Sequence, residues 1–118
     1  MISQAIVGIG IDVVEVSDMK KIRFKKRAAE YFLTAREMRN VPAGKGAAQY
    51  FASRFALKEA VIKAFPGKLS PLDFYAEKNG PRPGIVFVQP ARNKKYFAHV
   101  SLTHTARVAA AVALVYTR

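Results

Sequence analysis

The chain has 118 residues, 51% of them apolar, with no cysteine and a formal net charge of +12. That length suits one domain spanning 1–118, and the missing cysteine excludes disulfides, a thiol nucleophile and thiolate metal sites, with the cytoplasm as the simplest compartment. No apolar run reaches the length of a membrane span, no signal-peptide pattern opens the chain, and 20 Lys plus Arg against 8 Asp plus Glu favour polyanionic partners.

Residues 5–13 predict a strand. Side chains alternate along it, so Val7, Ile9, Ile11 and Val13 share a face expected to be ordinary core, and Gly8, Gly10 and Asp12 share the other. Glycines inside a strand mark a close approach to its backbone by a packed helix, a ligand, or both. Residues 14–30 predict a basic helix, with Val16, Met19, Ile22 and Arg23 on one side and Lys20, Lys21, Lys25 and Lys26 around them. Thr34 followed by Glu37 is a capping-box pattern that starts a short helix, and "NVPAGKG" (40–46) is a breaker-rich loop.

Residues 47–65 give the strongest helical pattern. At about 100° per residue, Phe51, Phe55, Ile62 and Phe65 form one stripe, flanked by Ala52, Ala56 and Ala60, which are small enough for close packing. Residues 72–78, 84–88, 96–104 and 107–116 then predict four strands, with "NGPRP" turning between the first two and "TA" between the last two. The expected fold class is α+β: a mostly antiparallel sheet packed against a long helix and shorter helices.

Several polar residues break these patterns. Lys58 falls inside the apolar stripe, where a solvated position is hard to find for it; Glu59 lies at the stripe's edge and Lys63 follows it by four. Such a Glu–Lys pair commonly forms a simple exposed helix pair. Asp12, followed three residues later by Glu15, fits an N-cap at the start of the next helix. It equally fits a carboxylate that converges with Glu59 on a hard cation such as Mg²⁺, which binds one or two protein carboxylates and completes its shell with water and phosphate oxygens. Arg54, Lys58 and Lys63 would then face phosphate. His99 reads as structural. His104, among Ser101, Thr103 and Thr105, suits an anion contact, and a hairpin turn accounts for it equally well. Neither a dinucleotide fingerprint, a Walker loop nor a G-x-S-x-G elbow is present, and two separated histidines are too few for zinc.

"GIGIDVVEV", "RFALKEAVIKAF", "NGPRP" and "VSLTHT" resemble, in order and spacing, the signature segments of the holo-acyl-carrier-protein synthases, the small bacterial 4′-phosphopantetheinyl transferases. The resemblance runs from about Ile6 to Tyr116. It implies transfer of the 4′-phosphopantetheine arm of coenzyme A to a serine of apo acyl carrier protein, releasing adenosine 3′,5′-bisphosphate, within fatty acid biosynthesis. It implies Mg²⁺ on Asp12 and Glu59, and Lys63 contacting phosphate and assisting transfer. Arg54, Lys58, Gly67, Pro83, Ser101, His104 and Thr105 are implied to line the coenzyme A site. The implied assembly is a homotrimer with sites at subunit interfaces, and Lys20, Lys21, Arg23, Lys25 and Lys26 would meet the acidic carrier. Asp18 departs from the basic residue many relatives carry, and Pro66 precedes Gly67 where relatives often have glycine. A nucleic-acid-binding module is the competing class. The charge supports it, but the aromatic residues fall at core spacing rather than as a stacking platform.

Overall fold

The glycines of the first strand and the alanines of the long helix decide the architecture. A computed structural model describes residues 5–21, 26–79, 82–88 and 95–118. Its elements are β1 (Ala5–Glu15), a 3-10 turn (Val16–Met19), α1 (Lys26–Glu30), α2 (Ala35–Met38), α3 (Gly46–Ala64), β2 (Phe74–Asn79), β3 (Arg82–Phe87), β4 (Tyr96–His104) and β5 (Val108–Thr117). β1, β5 and β4 form an antiparallel sheet in that order, and β2 and β3 form a separate hairpin. The expected α+β class and the four later strands are present.

α3 lies on the inner face of the three-stranded sheet, with Ala52, Ala56 and Ala60 fully buried. Gly8 and Gly10 lie directly under the carbonyls of Ala64 and Ala60, with no room for a Cβ. A packed helix is therefore what the bare strand face admits. Around the rest of its circumference α3 is buried as well: Leu57 and Val61 are inaccessible, and Phe51 and Phe55 meet Phe32 edge-on at centroid distances of 6.4 and 5.2 Å. A helix covered on nearly all sides is the spine of its domain.

Two expectations are corrected here. The face of β1 carrying Ile9, Ile11 and Val13 is not core; these residues are 65%, 63% and 62% exposed. α3 can approach only the face without side chains, which turns the branched residues outward. The predicted helix over 14–30 is also replaced. β1 runs on to Glu15, paired with Val108, a 3-10 turn buries Val16 and Met19, and α1 begins only at Lys26. Asp12 is thus mid-strand, opposite Ala111, and caps no helix. Ile22, Arg23 and Lys25, and the side chain of Lys26, lie outside the described residues. The Thr34–Glu37 capping box forms as expected, with Glu37 N donating to Thr34 Oγ1 and Thr34 N donating to Glu37 Oε1.

Candidate active site

The edge formed by β1 and α3 collects the first group of polar residues. Asp12 points to the inner face, the side on which α3 lies, in line with the two glycines. Lys63 Nζ donates to Asp12 Oδ1 and to the Ile11 carbonyl, each at 3.1 Å. The pair is open to solvent, with the Lys63 side chain 52% exposed, so it is weakly held and easily rearranged. Glu59 is half-buried one turn earlier on the same helix face, and no hydrogen bond or ion pair engages its carboxylate among the described residues. Asp12 of β1 and Lys63 of α3 thereby meet at this edge, with Glu59 one turn from Lys63 along the helix.

On the other side of α3 lies a cavity of about 350 Å³. Its wall includes Tyr50, Ser53 and Arg54 of α3 and Leu102 and His104 of β4. The Arg54 guanidinium stacks over the Tyr50 ring at 5.0 Å, and Arg54 Nε is buried with no partner. Burial pushes the Tyr50 hydroxyl up from its ordinary value, while the charge of Arg54 acts in the opposite direction. At about 100° per residue, Arg54 and Glu59 stand about 140° apart around the helix axis. One copy of the chain therefore carries two polar clusters on separate flanks of α3, a carboxylate edge beside β1 and a cationic cavity beside β4.

The remaining candidates disperse. Lys58 is corrected: its side chain is 1% exposed, and Nζ contacts Glu37 Oε1 at 2.8 Å and the Pro71 and Phe74 carbonyls at 2.6 Å each. An ammonium has three donors, and these three partners use them all, leaving none for a phosphate. Burial lowers the Lys58 pKa, and the charge of Glu37 opposes that shift. Ser101 and His104, three residues apart on β4, occupy opposite faces, so they do not line one cleft within a single chain. Thr105 shapes the β4–β5 turn: its Oγ1 accepts from Arg107 N and Val108 N at 3.1 Å. Pro83 sits half-buried on β3, and Gly67 is exposed in the loop after α3. Sequence reasoning missed Tyr50, whose hydroxyl donates to the Glu37 carbonyl at 2.8 Å. It also missed Lys45, which lines a cleft of about 600 Å³ with Lys20 at the start of α3. The i, i+4 spacing of Tyr50 and Arg54 was the available signal for the former.

The profile of the 4′-phosphopantetheinyl transferase superfamily matches residues 8–113. The chain belongs to this family and is an enzyme of the 4′-phosphopantetheinyl transferase class. Among its relatives, the holo-[acyl-carrier-protein] synthase of Nitratidesulfovibrio vulgaris strain Hildenborough is 38% identical over 92% of this chain and 97% of that protein. The Bacillus pumilus holo-[acyl-carrier-protein] synthase is 34% identical over 92% and 93%. The structure superposes on the Bacillus anthracis holo-(acyl-carrier-protein) synthase, solved in complex with CoA (3′,5′-ADP), with a TM-score of 0.82 at 27% identity over 96% of this chain and 98% of that one. The Helicobacter pylori synthase, solved in complex with coenzyme A, gives a TM-score of 0.74 at 32% identity over 91% and 98%.

Proposed function

We propose that this protein moves the 4′-phosphopantetheine arm of coenzyme A onto a serine hydroxyl of an apo acyl carrier protein. The reaction would be Mg²⁺-dependent and serve fatty acid biosynthesis in the cytoplasm. The observation that carries the reading is the edge where Lys63 grips Asp12 at 3.1 Å with Glu59 one helical turn away. Described residues contain no group of three or more His, Cys, Asp or Glu suited to a metal, but two carboxylates plus diphosphate oxygens are a sufficient donor set for Mg²⁺. Asp12 and Glu59 would hold that ion, which when bound would neutralise charge on the pyrophosphate.

The chain's own residues supply the rest. Lys63, half-exposed and held by a solvent-screened pair and one bond to the Ile11 carbonyl, can turn from Asp12 to a phosphate oxygen and stabilise charge on the departing group. The serine oxygen forms a new bond to the phosphorus that carries the pantetheine arm. The bond to adenosine 3′,5′-bisphosphate breaks, and the serine proton passes to a base, for which Glu59 is the candidate on this edge. Arg54, with its unpartnered buried Nε, and His104 provide a second anion contact.

The two clusters flank opposite sides of α3, and an exposed apolar face links Ile9, Ile11 and Val13 with Val112, which is itself 40% exposed. A patch of this kind marks an interface. A heterologous contact that closes into a ring would bring one copy's carboxylate edge to a neighbour's cationic cavity. This supports the homotrimer implied by the family resemblance. The surplus of basic residues fits an acidic carrier partner.

The test is mass spectrometry of a purified apo carrier protein incubated with the chain, coenzyme A and Mg²⁺. A gain of one phosphopantetheine arm is expected, lost with chelator and in Asp12→Ala or Glu59→Ala. Full modification by both variants would overturn the assignment.

A further inference from the structure

Lys58 and Glu37 form the most deeply buried charged pair among the described residues, each 1% exposed; their side chains bond none of Asp12, Glu59 and Lys63, while the Glu37 carbonyl accepts from Tyr50 of the cavity wall. Their bonds tie four segments together. Glu37 Oε1 accepts from Thr34 N and Oγ1 at 3.0 Å and from Lys58, and Oε2 accepts from Ala76 N of β2 at 3.0 Å. Lys58 Nζ reaches the Pro71 and Phe74 carbonyls and lies 4.6 Å over the Phe74 ring. α2, α3, the 70–73 turn and the β2–β3 hairpin are thus referenced to one point.

The direction of that point matters. At about 100° per residue, Lys58 stands about 160° round the helix from both Ala56 and Ala60, diametrically opposed to the face on the sheet. The sheet-side contact is made by glycine and alanine, whose short profiles oppose a roll of α3 only weakly. The buried directional bonds of its middle turns come from the far side, at Lys58, while the Gln49 and Lys63 contacts toward the sheet are exposed. Glu59 is the next residue. A roll of about 20° would carry the Glu59 Cα about 0.8 Å round the axis, given a Cα radius of about 2.3 Å. Displacements near 1 Å commonly cost about 10²-fold in rate.

We propose that the buried Glu37–Lys58 pair is a positioning device for the transfer reaction, setting the rotation of α3 so that Glu59 meets Asp12 and Lys63. This rests on the functional reading above. It predicts a loss in kcat through Glu59, and a change in coenzyme A affinity as well, because the Glu37 carbonyl accepts from Tyr50 of the Arg54–His104 cavity and Arg54 lies one turn before Lys58.

The experiment compares wild type, Lys58→Met and the double variant Glu37→Met/Lys58→Met. Lys58→Met leaves a buried carboxylate uncompensated and is expected to melt early. The double variant removes the uncompensated charge and is expected to regain part of that stability, short of wild type because Ala76 N and the Pro71 and Phe74 carbonyls lose their partners. If the pair positions, the double variant loses about 30- to 100-fold in kcat at saturating coenzyme A, measured below its melting transition. If the pair serves stability alone, kcat returns with the melting temperature, and the proposal is overturned. Amide exchange over residues 57–61 gives an independent readout in the absence of any turnover. Faster exchange in the stable double variant supports the proposal, and wild-type rates overturn it. Wild type that fails to modify a carrier protein would sink the functional reading, whereas an active wild type with an equally active double variant sinks only this inference.

Discussion

Gly10→Ala tests the central packing argument with one methyl group. Gly10 has no positive φ, so alanine suits its backbone and any cost is steric. The added Cβ would fall about 1 Å short of the 3.0 Å that real contacts respect, against the Ala60 carbonyl oxygen. It would also stand 2.9 Å from Ala60 C and 3.0 Å from Ala64 N. All these neighbours are backbone, so no flexible side chain can yield and α3 must move off β1 by about 1 Å. Overpacking of this kind costs about 3 kcal/mol, the upper end of its usual range. For a chain of this length the melting temperature should fall by roughly 10 °C. The same displacement stretches the Lys63–Asp12 contact from 3.1 Å, so transfer activity in the folded fraction should drop about 100-fold. Thermal melts and carrier-modification rates below the transition measure both. A Gly10→Ala protein with wild-type melting temperature and rate would refute the claim that the glycine face exists to seat the helix.

Ile11→Asp on the outer sheet face should leave the circular dichroism spectrum intact, reduce the mass measured by light scattering to that of one chain, and abolish transfer; an unchanged mass would remove the sheet face from the interface. Arg54→Ala should raise the KM for coenzyme A about tenfold with little change in kcat, as loss of a charge-assisted contact distant from the reacting bond requires. Tyr50 has a folded-state pKa raised above 10.0 by burial, so its contribution to stability is complete below that value and is lost as pH climbs through the higher folded pKa. Urea midpoints should therefore fall from about pH 10 upward more steeply in wild type than in Tyr50→Phe, and equal slopes would refute the shift.

The order of elements was legible because most of them announce themselves locally. The alanine and phenylalanine stripes of α3, the Thr34–Glu37 box and the last two strands each follow from short-range pattern. What misled was the assumption that branched residues face the core. Ile9, Ile11 and Val13 have the composition of a buried row, yet their neighbours Gly8 and Gly10 claim the helix, and alternation then forces the isoleucines outward. Close backbone approach outranks side-chain hydrophobicity when both faces of a strand compete for one partner. The predicted helix from residue 14 failed for a related reason: pairing of Val14 and Glu15 with Ala109 and Val108 extends β1 through residues that read locally as helical.

The site was legible as a set of residues and not as a place. Asp12 meets Lys63, a contact the motif reading did not include, and Lys58, adjacent to Glu59 in sequence, turns about 100° away around the helix and into the interior. Its anomaly within the apolar stripe was a true signal of burial, and only the position of Glu37, 21 residues earlier on another helix, explains what satisfies it. Ser101 and His104 separate by the same logic of alternation that governs β1. A motif compresses positions that a helix and a strand then distribute over several faces. For a chain of 118 residues, that dispersal is informative in itself. A diphosphate cofactor needs carboxylates for a cation at one point and fixed cations for its phosphates at another, and α3 presents these on opposite flanks. Under the proposed assembly, copies joined through the exposed Ile9–Ile11–Val13 face would bring one copy's carboxylate flank to a neighbour's cationic flank. At coenzyme A well below the raised KM of Arg54→Ala, mixing Asp12→Ala chains with Arg54→Ala chains should therefore restore wild-type affinity at a minority of sites, and a mixture no more active than its parts would place both groups in one subunit's site.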